Sequence, residues 1–343
     1  MKKFKVILVW SLFCILIECL VLFYLDKIAF KHSSDFTVKQ VSSEEDIKDE
    51  YEVDIPDEAS SIQASFNGRY ISYFENKSFY VVDTKSLDKK EVFTDEDDKN
   101  VLFAKWLPDR NLLVLAVKEK NKNGNVISLK NYDAKAEENK SIKEICTYEN
   151  GMNVDDIATT TLSGVSYVGI SRKNDTSLIY RIDINEDMKK VTTKANKVGS
   201  MGIFPHEDTL VYEDKKTNRY YSYSNGATKR IDLSSYGNVA LLAMDNSGNI
   251  YMGQINNDEI NNIVYGKYNE SISSWKNRTL KSAKREKDIF INSDKQLLIN
   301  DEDKICNLDT GKETEYVGEL LEIKDNVICS RKDNKVYLKK YNF

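Results

Sequence analysis

Apolar and polar residues follow two different periods along this chain. Residues 6–25 read VILVWSLFCILIECLVLFYL, an apolar run of 20 residues. As a helix it would extend about 30 Å, the thickness of a bilayer core. Lys2, Lys3 and Lys5 precede it, and Trp10 and Tyr24 lie near its ends. Positive charge stays cytoplasmic and amphipathic rings settle at interfaces, so the expected orientation is N-terminus in, C-terminus out. A cleaved signal would need a shorter apolar run and a small-x-small site. None follows by Leu25, and neither Cys14 nor Cys19 has the small preceding residue of a lipoprotein site. The segment is therefore expected to be an uncleaved signal anchor contacting the lipid bilayer through residues 6–25.

From residue 61 onward the period becomes two. Ile62, Ala64 and Phe66 alternate with polar neighbours, and Asn67-Gly68 makes a turn. Residues 70–74 form a second strand and Glu75-Asn76-Lys77 a second turn. Residues 78–82 form a third strand ending at Asp83, and Glu91-Val92-Phe93 a short outer one. Short β runs bounded by turn residues in this order predict a four-stranded antiparallel unit. Comparable units begin near 61, 101, 153, 198, 238, 287 and 320. Repeats of about 40–50 residues fall in the propeller range. The last unit has only three strands, whereas a lone strand is spare at 51–55, which predicts that the N-terminal strand completes the final blade. Closure of that kind leaves only short, protected sheet edges. The third strand often ends in an apolar residue plus Asp: Val82-Asp83, Tyr132-Asp133, Ile182-Asp183 and Leu308-Asp309. Such an Asp can bond its own turn backbone.

The fold class expected is all-β, a β-propeller of seven blades preceded by one transmembrane helix. The third and sixth units are weakly patterned, so six or eight blades also fit, and a pair of β-sandwiches is the rival architecture. The expected organisation is a cytoplasmic start (1–5), the span (6–25), a juxtamembrane linker (26–50) and an extracytoplasmic propeller (51–343). Ser42 and Glu45 in the linker stand at capping-box spacing for a short helix. The segment SFNGRYISYFENKSFYVVDTKS (65–86) resembles one blade of the TolB-like and dipeptidyl-peptidase-IV N-terminal propellers. MDNSGNIYMGQI (244–255) is similar to blades of the same superfamily. The resemblance implies the fold and leaves function to the site.

Charge sharpens this picture. Residues 1–31 hold five lysines against Glu18 and Asp26, so the rest of a chain with net charge −5 is acidic. An acidic ectodomain argues against nucleic acid as partner, because phosphate binding wants a basic face. Glu18 stands well inside the apolar run, where an ionised carboxylate costs a few kcal/mol. A tolerated polar residue in a strongly apolar helix is the plainer explanation. A contact with a second membrane helix is the functional one, and makes Glu18 the candidate membrane-helix contact.

Catalytic chemistry finds little footing. Beyond juxtamembrane His32 the only histidine is His206, in an expected turn with Glu207 and Asp208. A Ser-His-Asp hydrolase needs a histidine as its proton shuttle, and no G-x-S-x-G is present. The acidic runs 95–98 and 301–303 lack the glycine and spaced ligands of an EF-hand loop. No cofactor is implied. Cys146, Cys306 and Cys329 fall in strand-like runs and are expected to act as small apolar side chains, with a Cys306–Cys329 disulfide left open. Trp106 alternates with Ala104 in an inner strand, which favours packing between blades. Trp275 lies in the long outer segment 272–280 and is the candidate ligand-contact residue. The function expected is a non-catalytic binding or scaffold module at the cell membrane, for an envelope protein or a cell-wall glycan. The alternatives are a glycan-active enzyme using paired carboxylates and an accessory subunit of a membrane complex.

Overall fold

The computed structural model describes residues 10, 16–18, 50–94, 99–161, 164–292 and 294–343. The chain divides into two units, 1–46 and 47–343. Of the expected span 6–25, only Trp10 and residues 16–18 are described; all are helical and exposed, Glu18 among them. Among the described residues no helix is long and apolar enough to cross a membrane. Most of the expected span, the Ser42–Glu45 helix start and the acidic run 95–98 lie outside the described residues.

The second unit is seven four-stranded antiparallel sheets. Blades 1 to 6 cover 60–93, 100–147, 153–190, 198–231, 239–284 and 289–315, each with its strands in chain order. Blade 7 takes three strands from 319–340 and its outermost strand from Glu50–Asp54, which pairs antiparallel with Lys335–Lys340. Tyr51 faces Leu338 and Val53 faces Val336 across this pair. The spare N-terminal strand of the sequence therefore shuts the last blade.

Seven apolar clusters sit between the blades, one at each interface, and they make the ring continuous. The second strands read as nearly unbroken apolar runs because both of their faces are covered; Leu112–Asn121 and Ser166–Arg172 are examples. Outer strands are half solvated and read as polar with occasional buried residues, as in Ala227–Ile231. The joint between blades 7 and 1 carries Val53, Ile55, Ala64, Ile71, Cys329 and Leu338. The Arg331 guanidinium ties it further, donating to the carbonyls of Ala59 and Asp57 at 3.0 Å each.

The turn chemistry expected from the apolar-Asp endings holds in three blades. Asp83 Oδ1 accepts the amides of Lys85 and Ser86 at 2.8 and 3.1 Å. Asp133 does the same for Lys135 and Ala136, and Asp183 for Asn185 and Asp187. In blade 6 the capping residue is instead Asn307, whose Oδ1 takes the amides of Asp309 and Thr310. Asp309 is released for another role: it binds Arg278 and the amide of Leu297. The outer strand of blade 5 also differs from expectation. It runs Lys276–Lys284, because Ser271 caps a 3-10 turn over Ile272–Ser274 and delays strand entry.

Candidate functional site at the channel mouth

The first strand of each blade lies innermost, and the first strands of successive blades approach one another around the axis. In six of the seven blades this strand carries a register shift against its neighbour, between Ser60/Gln63, Val101/Phe103, Val154/Asp156, Val198/Met201, Leu241/Ala243 and Leu320/Glu322. An inserted residue of this kind bends the strand and re-aims the side chains that follow. Three of those side chains bridge to the next inner strand. Gln63 Nε2 donates to the carbonyl of Ala104 at 2.9 Å. Asp156 accepts from Lys105 Nζ at 2.8 Å. Glu322 Oε1 accepts the amide of Ala64.

Beyond these bridges the inner strands end, and a cavity of about 350 Å³ opens where they pass into their first turns. Six blades contribute to it, with Phe66, Trp106, Ile157, Met201, Phe290 and Ile323 among its walls. The charged groups at its edge are already engaged. Lys105 is held by Asp156, and Lys324 by Glu322 at 2.8 Å. What remains for a ligand is mostly apolar surface with a thin polar border, the usual character of a small-ligand or side-chain pocket.

Trp106 serves both roads. It is buried at the joint of blades 1 and 2, stacks on Tyr70 and donates Nε1–H to Ser72 Oγ at 2.9 Å. It also forms part of the cavity wall. Trp275 lies elsewhere. Its ring is half-buried against blade 5, stacked on Tyr236, with Nε1–H donated to the Lys267 carbonyl at 3.1 Å. The ring approaches so closely that a Cβ on Gly266 would fall 2.4 Å from it. His206 is exposed in its turn. Its neighbour Asp208 accepts the Tyr167 hydroxyl at 2.6 Å and pairs with Arg181.

Cys146, Cys306 and Cys329 are free thiols. Cys329 is fully buried, and that burial pushes its thiol well above the ordinary range. Among the described residues no group of three His, Cys, Asp or Glu side chains could hold a metal ion. Burial and then the charge of Glu213 raise the carboxyl of Glu286, which precedes the inner strand of blade 6.

No family model matches the sequence, and no curated protein matches it. Solved structures do. An oligogalacturonate lyase in complex with manganese aligns with TM-score 0.54 at 11% identity, over 86% of this chain and 91% of that one. The oligogalacturonate lyase of Vibrio parahaemolyticus aligns with TM-score 0.55 at 10% identity, over 85% and 91%. A prolyl endopeptidase aligns with TM-score 0.51 at 12% identity, over 75% of this chain and 42% of the peptidase. At such identities the likeness is one of fold. The neighbours include enzymes, and among the described residues no catalytic constellation accompanies the shared architecture. Seven blades and the latch by the N-terminal strand identify the fold as a seven-bladed β-propeller, the architecture these neighbours share.

Proposed function

We propose that this protein is a membrane-anchored, extracytoplasmic binding module whose channel mouth receives an apolar group presented by an envelope protein. The observation that carries this is the cavity of about 350 Å³, walled by apolar side chains from six blades. Its bordering lysines are neutralised by Asp156 and Glu322. A glycan would bring hydroxyls to a surface with few free polar groups, and burying them unpaired costs free energy. An aromatic or aliphatic side chain of a protein partner suits the same surface. The apolar run 6–25 supports the anchor and, through its flanking lysines, the orientation. In that setting Glu18 would pair the anchor with a second membrane helix. Catalysis by paired carboxylates draws less support, because the inner-strand acids Asp156 and Glu322 each stabilise a lysine.

Photo-crosslinking in intact membranes tests the proposal. A photoreactive residue at Pro108 or Asp325, both exposed at the cavity, is expected to capture a membrane or envelope protein. The same residue at Lys229, exposed on an outer strand, is expected to capture none. Equal yields at the three positions, or recovery of the chain in the soluble fraction, would overturn the reading.

A further inference from the structure

A second concavity on the ring has a different chemistry. It is a groove of about 250 Å³ between blades 5 and 6, lined by Tyr251, Tyr265, Arg278, Lys295, Asn249 and Asp309 among others. We propose that this groove is a carbohydrate subsite that seats one pyranose unit against the tyrosine pair.

The platform is rigid before any ligand arrives. Tyr251 and Tyr265 are direct cross-strand partners, and their rings stack at 5.2 Å with an interplanar angle of 11°. Tyr251 is buried and donates its hydroxyl to Asp245 Oδ2 at 3.1 Å. Asp245 is gripped in turn by the amides of Ser247 and Asn249 and by the Asn249 side chain at 2.7 Å. Tyr265 lies on this support and is only half-buried.

The polar groups are also fixed in advance. Arg278 donates to Asp309 and to the carbonyl of Leu308, the latter at 2.7 Å. The second oxygen of Asp309 takes the amide of Leu297 at 3.2 Å. Arg278 and Asp309 nevertheless remain 34% and 38% exposed, so each keeps hydrogen-bonding capacity toward the groove. Lys295, at the tip of the first turn of blade 6, adds a cation held by Ser247 Oγ at 2.6 Å.

A guanidinium–carboxylate pair facing stacked aromatic rings needs a ligand with two characters. An apolar ligand would desolvate Arg278 and Asp309 without replacing their hydrogen bonds. A small anion would leave the tyrosine face unused. A pyranose offers a face of C–H groups for the ring and hydroxyls around its rim for planar donors and acceptors. The groove is smaller than the usual pocket for a drug-sized molecule, which fits one ring of a longer chain, the remainder lying in solvent. Groups locked before binding lose little freedom on complex formation. The site is separate from the channel mouth, and its test does not require the protein partner proposed there.

Saturation-transfer NMR on the purified full-length chain, kept free of glycosidic detergents, tests the proposal with cellotetraose, triacetylchitotriose and a hyaluronan tetrasaccharide. At least one is expected to bind with Kd on the order of 1 mM, with saturation concentrated on the C–H protons of one sugar face. Tyr265→Phe should keep this binding within about twofold, whereas Tyr265→Ala should weaken it by about tenfold or more. Arg278→Lys keeps the charge and removes the two-pronged geometry; it should also weaken binding, and it decides the matter if Tyr265→Ala misfolds. No transfer from any of the three sugars at about 10 mM, or binding unchanged in Tyr265→Ala or Arg278→Lys, would overturn the proposal.

Discussion

The latch that closes the ring makes a quantitative prediction. Val53 and Ile55 are 2% and 4% exposed and sit in the cluster between blades 7 and 1. Their segment is joined to the rest of blade 7 by the pairing with Lys335–Lys340, by the bond from the Ile55 amide to Asn334 and by the Arg331 bonds to Asp57 and Ala59. Truncating a buried Ile to Ala costs about 2–5 kcal/mol. Removing two methyl groups from Val53 adds about 1.6 kcal/mol at about 0.8 kcal/mol per group. The double substitution Val53→Ala/Ile55→Ala should therefore cost about 4–7 kcal/mol, a large share of the 5–15 kcal/mol typical of a folded domain. Urea unfolding followed by tryptophan fluorescence measures it, since Trp106 is buried in the adjacent joint between blades 1 and 2. At a slope of about 3 kcal/mol per molar, the midpoint should fall by about 1.3–2.3 M. Glu52→Ala is the control. It lies on the same strand, but its partner Lys335 is well exposed, and the pair contributes little in solvent. A double variant whose midpoint stays within about 0.3 M of the parent at an equal slope would show that the strand is not holding the ring shut.

Two further outcomes follow from local geometry. Gly318, at the crossing from blade 6 to blade 7, has φ +85°, and a Cβ there would fall 2.2 Å from the Arg331 carbonyl oxygen. Gly318→Ala should cost at least about 1–3 kcal/mol of backbone strain, read as a lower urea midpoint. Asp245 is also expected to shape acid stability. Burial opposes its ionisation, but the bonds from Asn249, Ser247 and Tyr251 outweigh burial and hold its carboxyl below the usual range. Its contribution is therefore complete above about pH 4, the unfolded value, and is lost as pH falls through the lower folded one. Urea midpoints at successively lower pH should fall less steeply in Asp245→Asn than in the parent; parallel curves would refute the assignment.

Much of the ring was legible in the sequence, and particular residues show why. A strand buried on both faces must be apolar throughout, so 70–74 announced the second strand of its blade. Turns need residues that satisfy their own backbone, so Asp83, Asp133 and Asp183 marked the third strand ends. The missing fourth strand at the C-terminus and the spare one before Pro56 gave the closure. Where a neighbouring residue could do the same work the signal shifted: Asn307 caps the blade 6 turn, and Asp309 became a partner of Arg278.

The candidate sites were not legible in the same way. Trp275 looked available because it lies in a long polar segment, but Gly266 lets its ring settle onto the sheet and the Lys267 carbonyl fixes its indole N–H. The pairing of Tyr265 with Arg278 and Asp309 depends on two different blades meeting. The walls of the channel-mouth cavity come from six blades, tens of residues apart in the chain, and no local pattern connects Phe66 with Met201 or Phe290. One-residue insertions in the inner strands also re-aim side chains without disturbing the apolar period. Local periodicity and turn chemistry thus determined the strands, their grouping into blades and the closing strand. Only the closed ring decided which strand ends converge on the axis, because that convergence is a property of blade packing and strand register rather than of any single stretch of sequence.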